Sequence, residues 1–308
     1  MSSNVVLEGI DGSNPLGFLA AVGTLRSMSL AQPDWMPRLF WLRADAWRPV
    51  LAFERNRSRT DVVSALALFL RNPPGREAFR LGNNLNIPRA EFRKAAQVAV
   101  AGATAENRAW ADFLCAFASD GIANDKGLIE DTALRTMSGS GHQHFLGFIR
   151  TLIKDVTAEH IEKALFAQWK YDDRVENHTM RWDPLDDIRY ALRWRNPSGD
   201  PARKERGSMW GANRLAIEAM PLIGTIPENG TLKTTGFSGT GSRSTFWTWP
   251  IWSVPASPDV VRSVLALREL QSKLVKRSVL ERMGVAEVYR SQRITVGKYR
   301  NFTPGVPA

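Results

Sequence analysis

Three observations predict an α+β protein. A short apolar strand is followed at once by a capped helix near the start. A run of helical stretches fills the middle, up to Trp169. From Tyr171 the texture changes to short strand-like pieces rich in Gly, Pro, Trp and Arg. The expected architecture is an N-terminal strand–helix unit, a helical middle, a mixed Trp/Arg-rich region and a long C-terminal helix. The change of texture divides the chain into residues 1–170 and 171–308.

Val5-Val6-Leu7 reads as a strand, and Glu8 to Asn14 as a turn-rich loop. Asn14 is a natural N-cap with Pro15 at the first helical position, and Leu16, Leu19, Ala20 and Gly23 recur at helical spacing. Gly17 and Gly23 inside that helix imply close approach of another element. Leu39–Leu42 reads as a strand and Trp47–Phe53 as another strand or a turn. Helices follow at Thr60–Leu70, stopped by Asn72-Pro-Pro-Gly75, and at Arg89–Val100, Thr104–Phe117 and Gln143–Lys154. The last resumes as Ala158–Trp169, with Thr157 as its cap. In the second part a short helix covers Gly211–Met220, and Leu222–Ile226 reads as a strand. Thr231–Thr235 and Thr245–Ile251 read as strands joined by Gly236–Arg243. Val260, Val264, Leu267, Leu270, Leu274 and Val275 form one stripe, which predicts a single helix over Asp259–Arg282. Ala286–Tyr299 alternates in part.

Composition excludes several classes. Of 308 residues, 44% are hydrophobic and 23% charged, which is globular rather than disordered. One cysteine cannot form an intramolecular disulfide, and no Cys/His cluster has zinc spacing. No cofactor motif is present. The opening residues lack a secretory pattern and no run approaches a membrane span, so a soluble, cytoplasmic protein without membrane contact is expected. Cys115, among Leu114, Ala116 and Phe117, reads as a buried thiol.

The positive clue is charge. Lys and Arg number 41 against 31 Asp and Glu, a formal net +10, and such a surface favours polyanions. Most of the excess falls in residues 171–308, with 21 basic against 14 acidic side chains. Arg189, Arg193, Arg195, Arg203, Lys204, Arg206 and Arg214 lie within 26 residues, with only Asp200 and Glu205 as acids. A basic loop of this kind can neutralise phosphates without reading bases. A second basic cluster covers the C-terminal 50 residues, including Arg262, Lys273, Lys276, Arg277, Arg282, Arg290, Arg293, Lys298 and Arg300. Ser138–His142 and Gly236–Ser242 are Gly/Ser loops suited to backbone contact with phosphate, without P-loop spacing. The 11 tryptophans can stack on bases but more commonly pack in a core.

Catalytic chemistry is harder to assemble. His178 near Asp183, Asp186 and Asp187 could hold a divalent cation for phosphodiester hydrolysis. The same acids also suit a helix N-terminus.

Two blocks carry a family likeness. Leu7-Glu-Gly-Ile-Asp-Gly-Ser-Asn-Pro-Leu-Gly-Phe-Leu-Ala-Ala-Val-Gly-Thr-Leu-Arg26 resembles the opening of CRISPR-associated proteins from type I-U/I-G loci. Asp183–Trp194, Trp210–Ala216 and Met220–Leu222 are similar to the middle of the same proteins, and Gly141–Leu146 adds a weaker match. The resemblance implies a large-subunit-like (Cas8-like) component of an RNA-guided DNA-targeting (Cascade) complex. It would contact guide RNA and target DNA and serve PAM recognition, guide 5′-end binding and R-loop stabilisation. Its neighbours would be Cas7-type backbone and Cas5-type subunits, with a helicase-nuclease recruited transiently.

The sequence therefore predicts a non-catalytic nucleic-acid-binding subunit without metal or cofactor. Its expected contacts are Arg189, Arg193, Arg195, Arg203, Lys204, Arg206, Asn213, Arg214, Arg243, Lys273, Lys276 and Arg277. A metal-dependent nuclease and a protein-only scaffold are the alternatives.

Overall fold

Asn14 sets the start of the central helix. Its Oδ1 accepts hydrogen bonds from the Leu16 and Gly17 backbone N–H groups at 2.8 and 3.2 Å. Pro15 opens helix α1 (Pro15–Ala31). This is the expected cap, because Oδ1 satisfies donors that the first turn leaves orphaned. The helix is buried on all sides from Pro15 to Met28. The computed structural model describes residues 3–137, 143–186, 207–239, 241, 243–272, 274–296 and 299–308.

Strand β1 (Ser3–Val6) precedes α1, and β2 (Arg38–Arg43) and β3 (Trp47–Phe53) follow it. They form an antiparallel sheet in the order β1-β3-β2. Next come α2 (Arg59–Arg71), α3 (Arg89–Ala101) and α4 (Ala109–Phe117). Ser58 and Asp61 close a capping box at the start of α2. A hairpin of β4 (Ala118–Ala123) and β5 (Ile129–Asp131) leads to α5 (Phe145–Asp155) and α6 (Ala158–Phe166). Strands β6 (Asp173–Arg174) and β7 (Gly207–Ser208) pair ahead of α7 (Trp210–Ile217).

Helix α7 lies against α1 and α6. The contact with α1 is close enough that a Cβ at Gly23 would stand 1.8 Å from the Leu215 carbonyl oxygen. This is the close approach that glycine in mid-helix predicts. Buried side chains from both sides of residue 170 belong to one core cluster.

Strands β8 (Thr225–Glu228) and β9 (Thr231–Thr234) form a hairpin of their own. Strands β10 (Phe237–Ser238), β11 (Thr245–Trp252), β12 (Val285–Val296) and β13 (Tyr299–Phe302) form an antiparallel sheet in that order, with β14 (Val306–Pro307) also on β12. Two strand expectations shift accordingly. The strand expected over Leu222–Ile226 begins only at Thr225, because Met220–Leu222 form a 3₁₀ turn. The connection expected between Thr231–Thr235 and Thr245–Ile251 carries a further short strand, β10, which pairs with β11, while β9 pairs with β8.

The expected long C-terminal helix is broken. Helix α8 (Pro258–Leu265) and helix α9 (Arg277–Glu281) flank a 3₁₀ turn at Arg268–Gln271. The reason lies in where the apolar residues go. Val261 and Leu265 enter the main core, whereas Leu270 and Leu280 join Val285 and Val288 in a separate small cluster. One straight helix cannot serve both. Leu274, on the expected stripe, is 84% exposed.

Aromatics join the sheet to α1. Phe18 stacks on Trp41 at 5.8 Å and meets Trp247, Trp249 and Trp252 within 6.2 Å. Trp249 Nε1 donates to Gly12 O and Trp252 Nε1 to Leu39 O. These rings fill the core; Trp249 and Trp252 satisfy their polar edges, whereas Trp41 Nε1 is buried without a hydrogen-bond partner among the described residues. Cys115 corrects an expectation. Its neighbours Leu114 and Ala116 point inward, and the thiol lies on the outer face of α4, exposed.

Candidate nucleic-acid interface

Two hairpins and the large sheet enclose a cleft of about 350 Å³. Four cationic side chains line it: Arg135, Lys233, Arg293 and Arg300, against Glu130 and Asp131. Strand register explains two of them. Arg293 of β12 pairs with Phe302 of β13, and Arg300 pairs with Thr295. Residues two apart on a strand share a face, so Arg293 and Arg300 are diagonal neighbours on one side of the sheet. Arg135 arrives from the turn after β5, where Arg135 N–H donates to Thr132 O. The wall is tied to the β8–β9 hairpin. Thr234 Oγ1 accepts from Ala133 N–H at 2.9 Å, and Glu130 Oε2 from Leu232 N–H at 3.0 Å.

The charges in the cleft do not balance. Asp131 pairs with Arg135 at 2.6 Å. Arg293 Nη1 donates to the Ala133 carbonyl at 2.7 Å, and Arg300 Nη1 to the Arg135 carbonyl at 3.2 Å. Among the described residues, neither Arg293 nor Arg300 has a carboxylate oxygen within 4.0 Å. Burial, reinforced by Arg300 and only partly offset by Asp131, pushes Arg293 down to about 10. Burial lowers Arg300 as well. Burial also raises the Asp131 carboxyl, although Arg135, Arg300 and Arg293 pull the other way. Desolvated cations without a counter-ion are costly to fold. An oxyanion entering the cleft would supply that counter-ion, and guanidinium groups present paired donors suited to phosphate.

The expected contact residues scatter. Arg189, Arg193, Arg195, Arg203, Lys204, Arg206 and Lys273 lie outside the described residues. Asn213 and Arg214 correct the expectation: both are fully buried on α7. Asn213 Oδ1 accepts from Met180 N–H, and its Nδ2 donates to Met209 O. Arg214 pairs with Glu218 at 2.9 Å and donates to Leu70 O. Neither can meet a phosphate without opening the core. Arg277 is committed to Glu287 at 3.0 Å and to the Ala308 carbonyl. Lys276 is exposed at the start of α9. Arg243 is exposed on the β10–β11 connection, between the cleft residues Gly241 and Thr245. Arg293 and Arg300 belong to the second basic cluster read from the sequence. Arg135 was missed, since it stands alone among uncharged neighbours and only folding brings it to the sheet.

The alternative metal ligands are engaged by other partners. His178 Nε2 meets Asp155 Oδ2 at 2.8 Å, and its ring stacks on Trp210 at 4.0 Å. Asp183 and Asp186 are buried. Asp183 Oδ2 accepts from Asn14 Nδ2 and the Tyr171 hydroxyl, and its Oδ1 from Leu185 N–H. Asp186 accepts from Thr179 Oγ1 at 2.6 Å. Burial, with Asp186 beside it, pushes the Asp183 carboxyl up to about 7. Among the described residues, no three His, Cys, Asp or Glu side chains are placed to hold a metal ion. Asp187 lies outside them. No described helix is long and apolar enough to cross a membrane. No family model matches this chain, and no curated protein matches it either.

Proposed function

We propose that this protein is a non-catalytic nucleic-acid-binding subunit of a type I CRISPR effector complex, acting in the cytoplasm. The observation that carries the reading is the pair of desolvated arginines, Arg293 and Arg300, that face the cleft without a carboxylate partner among the described residues. The resemblance of the Leu7–Arg26 and Trp210–Ala216 blocks to type I-U/I-G proteins supplies the biological setting. Those two blocks pack against each other as α1 and α7. In such complexes guide pairing reads sequence, and a protein subunit mainly contacts backbone and a short PAM. The basic run from Arg189 to Arg206 joins this proposal on its charge alone. Guide RNA, target DNA and the Cas7-type and Cas5-type subunits are the proposed partners.

Salt-dependent binding tests the reading. If three phosphates are neutralised, affinity for single-stranded DNA falls roughly twentyfold between about 50 and 200 mM salt. Replacing Arg293 and Arg300 by Gln lowers the slope of log affinity against log salt by about 1.4. A slope that both replacements leave unchanged removes the cleft from the interface. Co-expression with Cas7-type and Cas5-type subunits tests the setting: a chain that never co-purifies with them is not a subunit of that complex.

A further inference from the structure

A second basic concavity lies beside the cleft. Thr151 and Lys154 of α5, with its N-cap His144, line a groove of about 440 Å³ together with Asn83, Arg150 and Asn177, and no carboxylate among the described residues lines it. Positions 144, 147, 151 and 154 recur every three or four residues, so one helical face supplies most of the wall. Gly147 keeps that wall low.

One short loop separates the two concavities. Arg150 clamps one end, donating from Nη1 to Gly82 O at 2.6 Å and from Nη2 to Asn83 Oδ1 at 2.7 Å. Arg135, inside the cleft, clamps the other end by donating to Asn86 Oδ1 at 2.9 Å. From Asn83 to Asn86 the backbone spans at most about 11 Å. Gly82-Asn-Asn-Leu-Asn-Ile-Pro88 carries no charge. A polyanion leaving the cleft over this loop meets no acid of the loop before it reaches the groove that Lys154 lines.

We infer that the cleft and the α5 groove form one track for the backbone of a single-stranded nucleic acid, crossing the Asn83–Asn86 loop. This rests on the nucleic-acid reading above and extends it to residues on the helical side. A single strand fits because a flexible backbone can leave the cleft, cross the Asn83–Asn86 loop and enter the groove within a few nucleotides. Duplex DNA is stiff over about 150 base pairs. The track holds bases loosely. Phe237 in the cleft is already stacked on Trp247, and Phe148 in the groove is buried, so neither offers a stacking platform.

Oligothymidylates of four and of twenty nucleotides, titrated against the full chain by fluorescence anisotropy, test the track. Lys154 is exposed, so its replacement does not disturb the core. The expectation for Lys154→Glu is roughly a tenfold loss for the twentymer and less than about a twofold loss for the tetramer. Lys154→Gln gives an intermediate loss for the twentymer. Arg300→Gln weakens both lengths. Arg38→Glu, on the separate three-stranded sheet, is the control for overall charge and leaves both unchanged. The track is overturned if Lys154→Glu spares the twentymer, if it weakens both lengths equally, or if Arg38→Glu matches it. A duplex that binds as tightly as the single strand also overturns it. These failures leave the cleft as a nucleic-acid site. Wild-type protein that binds neither oligonucleotide removes both proposals together.

Discussion

Two groups of arginines in this molecule have been given opposite tasks. In the helical core, Arg26 and Arg214 share Glu218, which accepts at 2.6 Å on Oε2 and 2.9 Å on Oε1. Arg214 and Glu218 are fully buried, and Arg26 lies over the Phe113 ring. At the edge of the large sheet, Arg135 takes Asp131, and Arg293 and Arg300 are left with backbone carbonyls. Each group has more cations than carboxylates. The core triad is sealed and uses its arginines to join α1, α2 and α7. The sheet group opens onto a cleft, where the missing negative charge can come from outside. Charge excess alone therefore does not mark a binding site; access does.

The largest effect is expected where the sealed triad is broken. Glu218→Gln strands two buried guanidinium groups and lowers stability by about 3–5 kcal/mol, measured by urea unfolding. A loss below about 1 kcal/mol would mean that water reaches the triad and that the contrast with the cleft is false.

A third carboxylate sharpens the contrast, because Asp183 makes no ion pair among the described residues and burial beside Asp186 raises its pKa instead. The raised value means that the folded state holds the proton more tightly than the unfolded chain. The associated stability is complete below the ordinary Asp range near 3.8 and is lost as pH rises through about 7. Over that window unfolding free energy falls by at most about 1.4 kcal/mol per pH unit. Asp183→Asn, which cannot titrate, flattens this part of the profile. An identical pH profile in wild type and variant would show that another group carries it.

A smaller effect follows from filling the cleft. Inorganic phosphate at about ten times its Kd raises wild-type stability by about 1.4 kcal/mol, read as a shift in Tm. Arg293→Gln with Arg300→Gln abolishes the shift. Smallest of all is the cost of those two replacements in the absence of anion. Removing cations that have no carboxylate partner among the described residues leaves stability within about 1 kcal/mol of wild type, or raises it. A large destabilisation there would place the cleft arginines in the same structural role as the core triad.

How much of this the sequence carries depends on whether a feature is local. The caps are local: Asn14-Pro15 and Thr157 start α1 and α6 where their side chains say a helix begins. The α+β mixture follows from the same short-range patterns. The C-terminal helix is not legible, because Leu270 and Leu280 keep helical spacing yet serve a second cluster that only β12 completes. The cleft is half legible. Arg293 and Arg300 stand in a basic run, but Arg135 joins them only through the turn after β5. Arg214 misleads by lying next to a basic stretch. The better signal is its spacing of four from Glu218 in an apolar helix, which favours a pair facing inward.

Helix α1 also has a consequence for how the chain is made. Its apolar surface runs all the way round, and the Glu218 that neutralises its Arg26 lies 192 residues downstream. At about 5–20 residues per second, a ribosome needs roughly 10–40 s to deliver that partner. During this interval the nascent helix has nothing native to bury its far face. Protection from chaperones while translation continues is therefore expected to govern the yield of folded protein, and slower elongation to lower it.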